Sequence, residues 1–182
     1  RVNISFALLI LQRRLASSPA AIYSSLKRRK ERLENQLTEE RIIARGNSVA
    51  NDIDHEWMND SLKNIDELSQ DDLENIEDEI SNGLTSASTI EELKKEIETL
   101  TELEGLAFEV LQRGDDTKWN QLKKILDDEL MTDRDGIRRK LIIFTEAKDT
   151  LFFFVDKIQT LLGRPEAVDC IHGGVLRENR RN

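Results

Sequence analysis

Cysteine is nearly absent: Cys170 stands alone, so no disulfide can form within the chain and a cytosolic setting is favoured. Within the second of two apolar C-terminal segments, it reads as a core residue rather than a reactive thiol. There are two histidines, His55 and His172, widely separated from each other, and this excludes a His/Cys metal centre. Aromatic residues make up only 5% of the chain, too few for a dense β-sandwich. The longest apolar stretch, Phe6 to Leu11, is far too short to span a membrane. Arg1 to Leu11 sets a basic residue ahead of an apolar run, as a signal peptide does. No small-residue cleavage site follows, and Gln12-Arg13-Arg14 continues the helical pattern. No Gly-Lys pair occurs anywhere, so the phosphate-cradling Gly-x-x-x-x-Gly-Lys-Ser/Thr loop is missing.

What the chain has in quantity is charge, and it is segregated. The net charge of -9 argues against a general nucleic-acid-binding domain. Yet Arg13, Arg14, Lys27, Arg28, Arg29, Lys30 and Arg32 make the first segment strongly basic. Between Asp52 and Glu104 lie 18 acids and 3 bases, half of all the acids in the chain. A nucleic acid could touch the basic end and would be repelled by the middle. The bland readings are a solvated helix face for the basic clusters and a solubilising spacer for the acidic stretch.

Hydrophobic periodicity predicts a mainly α protein. Val2 to Ala16 forms a first helix. Ser18 can cap a second, and Pro19 suits its first position, where a missing N–H has no partner anyway. That helix runs to about Ala44, with Ile22, Leu26, Leu33 and Leu37 on one face, Ile42 and Ile43 near its end, and Gly46-Asn47-Ser48 as its stop. Residues 47–69 are broken in pattern, with Trp57 and Met58 as anchors and His55 on the surface. Gln70 to Ile80 reads as a helix. Thr89-Ile90-Glu91-Glu92 is a capping box. It opens a helix whose stripe, Leu93, Ile97, Leu100, Ala107 and Leu111, suits a long antiparallel hairpin or bundle. Gly114 closes it and Asp115 or Asp116 opens the next, which buries Trp119, Leu122, Leu126 and Leu130. Asp128-Glu129 resembles a Mg²⁺-holding acid pair but follows no apolar strand, and reads as an exposed helix face.

At Gly136 the pattern changes. Lys140 to Thr145 is a continuous apolar run ending in polar residues, the pattern of a strand buried on both faces. Glu146 to Leu162 is a helix, with Leu151, Phe154, Val155, Ile158 and Leu161 inward. Gly163-Arg164-Pro165 is a turn, and Ala167 to Ile171 is a second strand. Strand, helix and strand make one parallel βαβ unit, which is not a finished sheet. With Arg1 in place of Met and the basic end Arg180-Arg181-Asn182, the chain reads as an internal piece of a longer protein.

Leu11-Gln-Arg-Arg-Leu-Ala-Ser-Ser-Pro19, with Ala21-Ile22 and Ser25-Leu26-Lys27-Arg28-Arg29, resembles the helical segment between the motor lobes of bacterial Swi/Snf-like (RapA-like) DEAD/DEAH-box superfamily-two helicases. Thr89-Ile-Glu-Glu-Leu and Asp116-Thr-Lys-Trp119 are similar to later parts of that insertion. Lys140-Leu-Ile-Ile-Phe-Thr-Glu146 with Asp149-Thr150-Leu151 is similar to helicase motif IV. Ile171-His-Gly-Gly174 with Arg177, Arg180 and Arg181 resembles the block after it.

The resemblance implies a helical insertion over residues 1–135, then the truncated start of a second RecA-like lobe over 136–182. It implies a parent that translocates on nucleic acid, double-stranded DNA above all, with ATP and Mg²⁺ as cofactors. This piece would hold neither cofactor and have no catalytic residues of its own. By position, Thr145, Lys148, His172, Gly173 and Arg180 would lie near a phosphate backbone, at the carboxyl ends of parallel strands. Arg13, Arg14, Arg28 and Arg29 could contact nucleic acid or the missing first lobe. The bland reading of His172 is a strand-end residue capping a backbone group. No membrane partner is implied, and an unfinished lobe invites self-association. The competing reading is a non-enzymatic acidic helical protein-interaction module.

Overall fold

The computed structural model describes residues 2–45, 75–76, 87 and 89–172. Five helices are described from end to end: α1 (Val2–Ser17), α2 (Pro19–Arg45), α3 (Ile90–Arg113), α4 (Thr117–Asp127) and α5 (Lys148–Leu162). Single turns of 3-10 helix follow α4 at Glu129–Met131 and α5 at Pro165–Ala167. The protein is mainly helical, as its periodicity predicts. Of the Gln70 to Ile80 helix, Asn75 and Ile76 are helical. The remainder, together with Gly46, His55, Trp57, Met58, Gly173, Arg177, Arg180 and Arg181, lies outside the described residues.

Local signals set the helix ends. Ser18 separates α1 from α2, and its hydroxyl accepts from the Ala21 amide at 3.0 Å. Thr89 caps α3 by accepting from the Glu92 amide at 3.2 Å. Gly114 ends α3 in the left-handed region, φ 66°, where a side chain would be strained. Asp116, not Asp115, opens α4 by accepting from the Trp119 amide at 3.0 Å. α4 stops at Asp127, so Asp128 and Glu129 lie just past the helix rather than on its face, and both are exposed.

α2 and α3 form the long hairpin. The Tyr23 ring lies tilted beside that of Phe108, while Arg29 reaches Glu96 and Lys30 reaches Glu104, so the helices run antiparallel. Ile22, Leu26, Leu33 and Leu37 of α2 close on Leu93 and Leu100 of α3, with Leu11, Ile90, Ile97 and Ala107 at the margins. Each apolar stripe has one seven-residue gap, Leu26 to Leu33 and Leu100 to Ala107. Lys30 and Glu104 occupy the two gaps and meet. A second, smaller core joins α4 to α5: Trp119 and Leu126 against Phe154 and Ile158, with Leu122, Leu161 and Val168 beside them.

The C-terminal segments depart from expectation. Residues 140–145 and 167–171 form no β-ladder among the described residues; the single bridge, Thr132 to Arg138, is antiparallel and closes a small hairpin at Gly136. Two parallel strands on their own bury too little to hold together. Here Ile142 is 78% and Phe144 91% exposed, and the second segment begins as a 3-10 turn. The helix between them docks instead through its own apolar face. Cys170 follows its segment out of the core and is half-buried.

Candidate functional site at the joint of the first two helices

The richest polar cluster lies where α1 turns into α2 and the start of α5 meets both. Thr150, in the first turn of α5, is buried, and its hydroxyl lies 2.6 Å from that of Ser17 and 2.8 Å from that of Ser18. The three hydroxyls make a chain of hydrogen bonds that continues to the Ala21 amide. Two ion pairs flank it. Arg13 of α1 pairs with Glu146, and Arg28 of α2 pairs with Asp149 at 3.0 Å. From α4, Lys118 donates to the backbone carbonyls of Ala16 and Ser17, at 2.5 and 3.2 Å. These are terminal carbonyls of α1, where a cation is favoured. Ile10, Ala21 and Ala147 supply buried apolar surface among the same elements.

The basic residues singled out from the sequence separate into two kinds. Arg14 is 4% exposed, and the Arg29 side chain is 11% exposed and held by Glu96 at 2.7 Å. Arg14 is buried in the helical body, and Arg29 is half-buried there. The Arg13 and Arg28 side chains keep 42% and 35% of their surface in solvent, and both point to one short stretch, Glu146 to Asp149. Lys148, the first residue of α5, lies between those two acids in sequence and is half-buried. Thr145 is half-buried at the end of the extended segment. His172 sits apart, edge-on to Phe152 at 5.5 Å and half-buried, a ring contact rather than a strand end. Gly173 and Arg180 lie outside the described residues.

The acids and hydroxyls that complete the joint are Glu146, Asp149, Thr150, Ser17 and Lys118. None was singled out as a site residue from the sequence except through the motif IV resemblance. Their partners lie 101–133 positions away, beyond the reach of any spacing rule. Among the described residues no group of three or more His, Cys, Asp or Glu side chains could hold a metal ion. None of the described helices is long and apolar enough to cross a membrane.

Neither a protein family nor a relative identifies the chain. No family model matches it, and neither any curated protein nor any solved structure does so.

Proposed function

We propose that this chain is part of an ATP-driven superfamily-two motor of the bacterial Swi/Snf-like kind. Residues 1–135 would be the helical insertion between the motor lobes, and 136–182 the opening of the second RecA-like lobe. The parent protein would act on double-stranded DNA in the cytoplasm, with ATP and Mg²⁺ held by parts outside these residues. The observation that supports this reading is the joint itself. Leu11 to Pro19 and Lys27 to Arg29, which resemble the insertion, engage Glu146 to Thr150, which resemble motif IV, through Arg13–Glu146, Arg28–Asp149 and the Ser17/Ser18/Thr150 hydroxyls. An insertion that reports to a motor lobe needs such a firm attachment. The exposed run at Ile142 to Phe144 fits a strand whose neighbours in a parallel sheet would cover it.

The test is the reading frame around the chain and the activity of its product. A Gly-x-x-x-x-Gly-Lys-Ser/Thr loop upstream and an arginine-bearing block downstream are expected, with ATP hydrolysis by the full-length protein that rises on adding duplex DNA. The 182-residue chain alone should hydrolyse none. Absence of both sequence blocks sinks the motor.

A second reading, a helical protein-interaction module, is favoured by one feature. Leu103, Leu106 and Val110 form an exposed apolar stripe on α3, away from the hairpin seam. That module would capture a protein partner without ATP and without DNA.

A further inference from the structure

We propose that the outer face of α3 seats a helix of a partner protein that carries lysine or arginine along one edge of its own apolar stripe. The inference deepens the protein-interaction reading above and rests on it for the presence of a partner.

α3 bears two apolar stripes. The inner one, Leu93, Ile97, Leu100 and Ala107, is closed by α2, with Glu104 in its gap. The outer one, Thr99, Leu103, Leu106 and Val110, also steps by fours and threes and lies about 120° round the helix. All four of its residues are exposed. Thr99 donates its hydroxyl to the Lys95 carbonyl at 3.0 Å, so it asks for no polar partner across the stripe. Steps of four and three are what one helix presents to another, and they set this stripe apart from singly scattered surface leucines.

The glutamates beside the stripe decide what fits. With Leu103 and Val110 at heptad positions a, and Thr99 and Leu106 at d, Glu102 and Glu109 both fall at g. Side chains at g line the edge of a helix–helix seam and select the partner by charge. Both glutamates are exposed. Glu109 pairs with Arg113 one turn on, at 3.3 Å with both side chains well exposed, a contact too weak to withhold it. The e positions, Leu100 and Ala107, belong to the inner stripe. One edge of the seat is therefore acidic and the other apolar. The α3 of a second copy does not suit it. Antiparallel pairing would set g against g, glutamate against glutamate, and parallel pairing would set the glutamates against Leu100 and Ala107. A helix with an apolar stripe and a basic edge meets both demands, and the net charge of -9 favours its approach.

The 182-residue chain is titrated with two labelled synthetic helices of about three heptads, both with leucine at a and d, one with lysine at e and g and the other with glutamate. Like charges on both edges keep each peptide from pairing with itself. Fluorescence anisotropy should show the lysine-edged peptide binding about tenfold more tightly than the glutamate-edged one. Glu102→Lys with Glu109→Lys should invert that preference. Leu103→Ser with Leu106→Ser keeps every charge and should lose most of the binding of the lysine-edged peptide. Circular dichroism and the urea midpoint check that the fold survives, as expected at exposed positions. If the serine variant loses helix content, Leu106→Ala takes its place. Equal binding of the two peptides, or lysine-edged binding that persists without the leucines, overturns the seat. So does loss of the parent chain's self-association in the serine variant, which would make a second copy the occupant. ATP hydrolysis stimulated by duplex DNA in the full-length protein sinks the protein-interaction reading instead, and it reads out separately from either peptide.

Discussion

Thr150 is the residue on which the joint turns. Its hydroxyl is buried and shared by Ser17 and Ser18, so valine in its place leaves those hydroxyls short of a partner. Thr150→Val should lower stability by about 1–3 kcal/mol, read as a drop in urea midpoint at constant slope. An unchanged midpoint would show that the hydroxyl chain contributes nothing. This residue was partly legible: a threonine in the first turn of a predicted helix, inside a block resembling motif IV. Its partners were not, because hydroxyl chemistry has no periodicity and Ser17 and Ser18 read locally as a helix break. Arg13 and Arg14 show the same limit. Adjacent and chemically identical, one is paired at the surface and the other buried, because consecutive helical positions face about 100° apart.

At the scale of the element, the α2–α3 hairpin follows from its stripes. Leu33 is fully buried at the centre, and Leu33→Ala should cost about 2–5 kcal/mol through lost burial and the cavity left behind. Leu106→Ala, on the exposed side of α3, should stay within about 0.5 kcal/mol. Thermal or urea unfolding compares the two, and equal effects would mean that the seam is misassigned. The matched gaps at Lys30 and Glu104 set the register of the hairpin, because any slip would bring a charge against leucine. Glu104→Leu strands the Lys30 ammonium in that seam and should cost about 1–3 kcal/mol, a buried-pair penalty reduced by partial exposure.

The same pair makes a pH prediction. The hydrogen bond to Glu104, followed by burial working against it and the nearby charges of Glu104, Glu34 and Glu31, leaves the Lys30 pKa raised above its ordinary 10.5. A raised lysine pKa stabilises the fold fully below the ordinary value, and that contribution is lost as pH climbs through the folded value. The urea midpoint should therefore fall across the alkaline range above about pH 10.5 more steeply than in Lys30→Met. Parallel profiles would remove the pair from the account. The stripe positions were readable from the sequence, but that the two gaps coincide needed the hairpin.

At the scale of the whole molecule, the two apolar cores found among the described residues share no residue, and α5 lies on α4 with one face and meets α1 and α2 at the polar joint. The extended run at Leu141 to Phe144 is left outside both. An exposed apolar strip of that kind favours association. The chain is expected to show a weight-average mass that rises with concentration in sedimentation equilibrium. Ile142→Lys with Phe144→Lys should return it to the monomer. A constant monomeric mass in the parent chain would show that the strip is innocuous.

Helix positions, caps and inward faces were determined by the sequence, because they depend on neighbours within four residues of one another, and capping and periodicity act at that range. The C-terminal segments read as strands on composition alone, and composition cannot supply the adjacent chain a strand requires. Which arginines are buried, which are paired, and which acids hold them was decided only by the tertiary structure, since an ion pair between positions 13 and 146 exists only after the helices have met.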